Sequence, residues 1–489
     1  MLMHNKWEWR WQRKVTCLWP WNHPCFGEME MEESSEDGRV RTGTVWTATA
    51  HVITAIVGSG VLTLPWSVAQ LGWILGPVVL VFFAFITYFT ATLLSDCYRL
   101  PDPTKGRRNH TYMDAIRACL GRKDVLICGI TQYSILWGTM VGYTITSVMS
   151  MMAIDLSMCF RNKGPNASCE VSGTLYVVIF GAMEVLLSQF SSLEKVTVLS
   201  YIAAAMSFAY SSIGLCLCLL EFSSHPKSKG TLTGVQVGIR NVSSTTKIWD
   251  SFQALGNVAF AYTFSMLLIE IQDTLKSPPS ENGTMKKASI YGIGSTTLFY
   301  ISLGCLGYAT FGNDTPGNIL TGFRKPIWLV DIANLAVLIH LFGAYQLFAQ
   351  PIFAFYEQWS AKKWLNAGFF QRVYTLNLPF SKSRSIKFTL CKLILRTLFV
   401  LITTVVAMML PFFNAVVGLL GALGFWPLTV YYPMSMFMNR AKIKRRQFKW
   451  VMLQVLSLVC LFVSLLAVIG SVADIIEHLK HAELFKIKL

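Results

Sequence analysis

Apolar runs of roughly twenty or more residues, the length that crosses a bilayer as a helix, recur eleven times along the chain. They lie at about 45–71, 75–98, 124–156, 173–190, 196–222, 249–273, 287–311, 326–357, 389–411, 414–438 and 449–475, separated by short polar stretches. The pattern predicts an all-α polytopic membrane protein with eleven transmembrane helices, spans 1 to 11. Its parts are a disordered cytoplasmic N-terminal tail (1–43), a first five-helix repeat (44–222) and an extracellular loop (223–248). A second five-helix repeat (249–438), a basic cytoplasmic loop with span 11 (439–475) and an extracellular C-terminal tail (476–489) complete it.

Span 1 departs from a plain anchor. It reads TVWTATAHVITAIVGSGVLTLPWSVAQLGW over 44–73 and carries Gly58-Ser59-Gly60 at mid-depth, where an anchor would carry Leu or Val. Glycines there serve either close helix packing or a break in the helix. A break bares backbone N–H and C=O groups, which are tolerated at membrane depth only where they line a protein cavity. If the two five-helix units are an inverted repeat, span 6 must answer with a break of its own. It reads WDSFQALGNVAFAYTFSMLLIEIQDTL over 249–275, and its small and polar residues, Gly256-Asn257 followed by Ala259-Phe260-Ala261-Tyr262, give a weaker break signal.

Composition agrees with the membrane reading: 53% of the 489 residues are hydrophobic, 14% are charged, and mean hydropathy is +0.47. A net charge of +16 in a soluble chain would suggest nucleic acid. Here the basic residues sit in loops and orient the spans, so no nucleic-acid partner is implied. With the N-terminus cytoplasmic, 31 of the 42 Lys and Arg fall inside, and an odd number of spans leaves the C-terminus extracellular. Residues 1–28 hold five Trp but no continuous apolar core, so they are not a secretory signal. Met29 or Met31 would open an acidic tail, which leaves residues 1–28 either an upstream extension or part of the functional protein.

Of twelve cysteines, Cys159 and Cys169 bracket the loop between spans 3 and 4 on the oxidising side, which predicts a disulfide. Closing a loop of that size would contribute about 3 kcal/mol in the chain-entropy model. Asn166 and Asn241 head glycosylation sequons on the same side, whereas those at Asn109 and Asn282 fall inside and should be silent. Ionisable residues deep in the spans are few: His51, Glu184, Glu270, Asp331 and His340. Each is a functional candidate by default. His340 lies nine residues beyond Asp331, about 13 Å down the helix and near the level of the two breaks. No metal-spaced Cys/His set or nucleophile–base motif appears in the spans, which argues against an enzyme.

The stretches SDCYRLPDP, TYMDAIRACLG, GYTITSVMSMMAI, IEIQDTLKSPP, GYATFGNDTPGNILTGF, GAYQLFAQPIFAF and VVAMMLPFFNAVVGLLGALGFWPLTVYYP, together with span 1, closely resemble the plant amino acid permeases of the amino acid/auxin permease family. The resemblance covers about Gly38 to Ala473. It implies a proton-driven importer of amino acids at the plasma membrane, with the fold of the sodium-coupled leucine transporters. Protons would be the driving ion and no cofactor would be needed. The amino acid substrate, protons and the lipid bilayer would be the partners of a monomeric chain. Two positions depart from the family pattern: Asn257 stands where it usually has Asp, and Ser191-Ser192-Leu193-Glu194 replaces its usual P-N-F-H.

On this reading the substrate carboxylate meets the N–H groups of Gly58, Ser59 and Gly60, at the positive start of a half-helix. Its amino group meets carbonyls freed near Ala55, Ile56 and Phe260. Tyr143, Ala261 and Tyr262, with residues of spans 8 and 10, form a side-chain pocket without a fixed acid, suited to neutral amino acids of varied size. Asn257 and His340 complete the candidate site. Because Asn257 cannot titrate, His340 is the leading proton-coupling group and Glu184 its rival. A receptor that senses amino acids without moving them remains the alternative on the same fold.

Overall fold

The computed structural model describes residues 41–481 apart from 104–105, 165–168, 170, 191–192, 225–226, 239–241, 364–372 and 378–384. Most of the N-terminal tail, the end of the C-terminal tail, Ser191-Ser192, and the sequons' Asn166 and Asn241 therefore lie outside the described residues. In chain order the helices begin with α1 (Val45–Ile56), α2 (Leu64–Ser95), α3 (Tyr112–Cys119), α4 (Arg122–Lys163), α5 (Gly173–Phe190), α6 (Leu193–Ser224) and α7 (Ser244–Ala261). They continue with α8 (Ser265–Gln272), α9 (Glu281–Phe311), α10 (Ile327–Lys363), α11 (Leu390–Met409), α12 (Phe413–Gly424), α13 (Tyr432–Arg440) and α14 (Phe448–His481).

Nine helical stretches among the described residues are long and apolar enough to cross a membrane, and two apolar helices, Val45–Ile56 and Gly173–Gln189, are shorter. The expected eleven differ from this for a physical reason. Span 1 is cut into α1, a 3-10 turn at Ser59–Thr63 and the start of α2, so neither half has full length. The chain then reverses inside α2 at Gly72, whose φ of +82° is open to glycine at little cost. A side chain begun at Gly76 would lie 3.2 Å from the Cα of Val68, eight residues earlier. A straight helix would hold those residues about 12 Å apart, so 64–71 and 73–95 form a hairpin.

The all-α expectation also needs amendment. Arg99–Leu100 pairs with Arg107–Arg108, and Val373–Asn377 with Ser385–Thr389, as two antiparallel ribbons in the loops. The second ribbon carries alternating, β-branched sequence of the kind that favours strands. Cys159 and Cys169 are joined as a disulfide, with Cα atoms 6.3 Å apart.

Two ends of the bundle are closed differently. At the Gly72 end, loop 231–235 packs over the hairpin, with Trp73 N–H donating to Thr231 O and Val235 N–H to Ala69 O. At the opposite end, residues 41–43, the last of the expected tail, are tied to the end of α8. Gly43 N–H donates to Thr274 O at 2.9 Å, and Lys276 N–H donates back to Gly43 O. Asp273 there accepts from Arg41 at 2.9 Å and from Tyr98 at 2.7 Å, with His110 at 3.2 Å.

Candidate functional site

The two breaks face each other. In span 1, α1 ends as Val57 N–H donates to Ile53 O, and the chain runs extended through Val57 and Gly58 into the 3-10 turn. The first N–H groups of such a turn have no partner within it. Here they belong to Ser59 and Gly60. In span 6, α7 ends at Ala261 and α8 starts at Ser265, so the interruption is Tyr262–Phe264. Gly60 brings the two breaks together: a side chain there would begin 2.9 Å from the Phe260 ring and 3.3 Å from the Cα of Ala261. Gly58 meets nothing within 4 Å.

Between the breaks lies a cavity of about 360 Å³, within the range of small-molecule sites. Of the candidate residues, Ala55, Ile56, Gly58, Ser59, Gly60, Tyr143, Phe260 and Ala261 line it. It continues along α8 to His110, Thr111, Asp273 and Thr274, toward the Arg41 end. Its wall also draws on Tyr133, Leu136 and Thr139 of α4, Phe348 of α10 and Leu420 of α12.

Three expected site residues do not line it. The Tyr262 hydroxyl turns to Thr297 Oγ1 at 3.0 Å. The Asn257 amide donates to Asn414 Oδ1 at 2.8 Å, on the face of α7 packed against α12. His340 sits behind the wall: its Nδ1 is 2.7 Å from Ala203 O, and its ring packs edge-on against Tyr143 and Tyr210. Glu184 does not line the cavity either; it is fully buried and accepts from the Gln346 amide at 2.6 Å.

The expectation of a pocket without acids needs correction, because Glu270 and Asp273 line its Arg41 end. They were visible in the sequence, but only the unwinding of span 6 turns its second half along the cavity. Asp273 is engaged by Arg41, Tyr98 and His110.

Two features of the break carbonyls escaped sequence reasoning. The Tyr300 hydroxyl, fully buried on α9, donates to Ile56 O at 2.8 Å and lies 3.3 Å from Ala261 O, bracing one break against the other. A tyrosine in an apolar span gives no signal of such a role. The Phe260 carbonyl likewise accepts from Thr263 N–H at 3.1 Å. Among the described residues, no group of three or more His, Cys, Asp or Glu could hold a metal.

Comparison with known proteins identifies the family. The family described as transmembrane amino acid transporter protein matches residues 41–477. The chain belongs to that family. Amino acid permease 4 of Arabidopsis thaliana is 51% identical over 454 residues, covering 92% of this chain and 97% of its own. Amino acid permease 3 of the same plant is 51% identical, with 92% and 94% covered. The solved structure of MhsT in complex with L-phenylalanine aligns over 89% of this chain and 100% of its own, at 10% identity and a TM-score of 0.49. These relatives are permeases, transporters rather than enzymes, and this chain is a multi-pass membrane protein of the same family.

Proposed function

We propose that the protein is a proton-coupled amino acid symporter of the plasma membrane that imports neutral amino acids with broad specificity by alternating access. The observation that carries this is the single cavity onto which both breaks open, in a chain of the amino acid transporter family. Backbone groups there supply both poles an amino acid needs: N–H groups of Gly58, Ser59 and Gly60 for its carboxylate, and the carbonyls of Ala55, Ile56 and Ala261 for its ammonium. Tyr143 and Phe260 flank its side chain. Asp273, the cavity acid nearest Arg41, is already paired, so it does not select for lysine.

In this reading the eleven spans are a five-plus-five inverted repeat plus one, acting as a monomer. The Arg41 end is cytoplasmic, by the Lys/Arg bias, so the cavity faces inward. His340, touching the cavity through Tyr143, is the leading proton carrier, and Glu184 is the second. A sensor on the same fold would bind amino acids without accumulating them.

The test is uptake of neutral, acidic and basic amino acids at two external pH values, for wild type, His340→Ala, Glu184→Gln and Asn257→Asp. We expect accumulation above equilibrium that rises with external acidity, and its loss in His340→Ala with exchange intact. Full accumulation in His340→Ala and its loss in Glu184→Gln would move the proton to span 4. Strong preference for lysine over glutamine would contradict the neutral specificity, and binding without accumulation would favour the sensor.

A further inference from the structure

A second cluster of buried polar groups lies where α7, α12 and α14 meet, away from the substrate cavity. Gln253, Asn257 and Ser471 are each fully buried. Both amide atoms of Gln253, Oδ1 of Asn257 and Oγ of Ser471 have no hydrogen-bond partner among the described residues. Two of these atoms and the Gln253 side chain meet beside one glycine: a side chain begun at Gly418 would lie 2.8 Å from Ser471 Oγ, 3.1 Å from Asn257 Oδ1 and 3.0 Å from Gln253 Cγ. In an apolar interior an unbonded amide or hydroxyl is costly. Four such atoms on three neighbouring side chains call for a bound partner.

The chemistry of the four atoms selects that partner. The Gln253 nitrogen only donates, the two amide oxygens only accept, and the Ser471 hydroxyl does either. A bare cation would be repelled by the amide N–H₂, and an anion by the two oxygens. Water satisfies all four.

The cluster is also connected outward. Asp250, Gln253 and Asn257 lie on one face of α7, at the i, i+3, i+7 spacing. Ser471, Asp474 and His478 repeat that spacing on α14, which packs against α7. Exposure climbs along the second row, from 0% at Ser471 through 14% at the Asp474 side chain to 54% at that of His478. Asp250 interacts electrostatically with Asp474, Lys247 and His478, and His478 Nδ1 is 2.9 Å from Asp474 Oδ1.

We propose that α7, α12 and α14 enclose a chain of bound water. It runs from the Asp250, Asp474 and His478 mouth to Asn257 and is separate from the substrate cavity. Under the orientation proposed above, this mouth opens to the outside. Water then reaches α7 one turn short of its break while the substrate cavity faces the opposite side.

The test is thiol accessibility of Ser471→Cys in sealed, right-side-out vesicles holding the full-length protein. External 2-aminoethyl methanethiosulfonate serves as the small cationic probe, read by peptide mass spectrometry. Residue 471 should be modified at least about tenfold faster than the native, buried Cys460 of the same helix. Adding Gly418→Ala, whose methyl would press on Ser471 and Asn257, should remove that advantage. Modification no faster than at Cys460 would overturn the proposal, and modification only in inverted vesicles would overturn its outward opening. The readout needs no transport, so a failure of the symport reading leaves it decisive. If the variant does not reach the membrane, an experimental map of the wild type answers instead. Density at hydrogen-bond distance, about 2.6–3.2 Å, from Asn257 Oδ1 and Ser471 Oγ is expected; direct bonds among the three side chains with no density between them would overturn it.

Discussion

The breaks of spans 1 and 6 line the same cavity but arise from different chemistry. Span 1 parts at Val57-Gly58, and glycine acts twice: Gly58 faces open space, and Gly60 lets the Phe260 ring and the Ala261 backbone approach. Span 6 parts at Tyr262–Phe264, which contains no glycine. Its nearest glycine, Gly256, lies inside the intact helix α7, where a side chain would begin 2.3 Å from the Gly418 carbonyl of α12. One glycine therefore opens a helix and another welds two helices together. What distinguishes them is the neighbour each meets, which a single span's sequence does not contain.

That contrast can be tested by giving each glycine a side chain. The largest effect is expected at Gly256→Val, because the colliding atom is backbone and cannot rotate away. Overpacking of this kind costs about 3 kcal/mol or more, so the variant should be largely absent from the surface and aggregate in detergent chromatography. Normal surface amounts would show that α7 and α12 are less tightly joined than described. Gly60→Val should instead reach the surface yet lose uptake. Its nearest neighbour is a ring edge that can shift, with the Ala261 backbone at a looser 3.3 Å, but the branched side chain occupies the approach to the substrate carboxylate. Wild-type uptake would remove the Gly58–Gly60 amides from the site. The smallest effect belongs to Gly58→Ala. The backbone there is extended at φ −129°, open to any residue, and nothing lies within 4 Å, so only a methyl in the cavity is added. KM should rise by about fivefold, the equivalent of roughly 1 kcal/mol, with surface amount unchanged; a folding defect would contradict the open environment of Gly58.

The glycines also mark how far sequence reasoning reached. Gly58-Ser59-Gly60 marked a place where span 1 either packs closely or breaks, and the structure shows the break. Cys159 and Cys169 were legible because ten residues of loop on one side of the membrane hold two thiols within reach. Gly256-Asn257 pointed only approximately at the second break. Its small residues serve contact with α12, while the helix parts five residues beyond Asn257. Tyr300, which joins the two breaks, and Glu270, which the unwinding swings along the cavity, carry no local pattern. Their roles come from which helices pack together, and periodicity within one span does not encode that. The same limit applies to His340, whose ring packs on Tyr143, one layer behind the cavity wall.

The central claim, that both breaks together bind the amino acid, is tested most directly by an experimental structure of the full-length protein with a transported neutral amino acid bound. The account predicts the carboxylate against the N–H groups of Gly58, Ser59 and Gly60, and the ammonium between the carbonyls of Ile56 and Ala261, with Tyr300 still bonded behind them. An amino acid bound elsewhere at saturating concentration, with the cavity between the breaks unfilled, would contradict it.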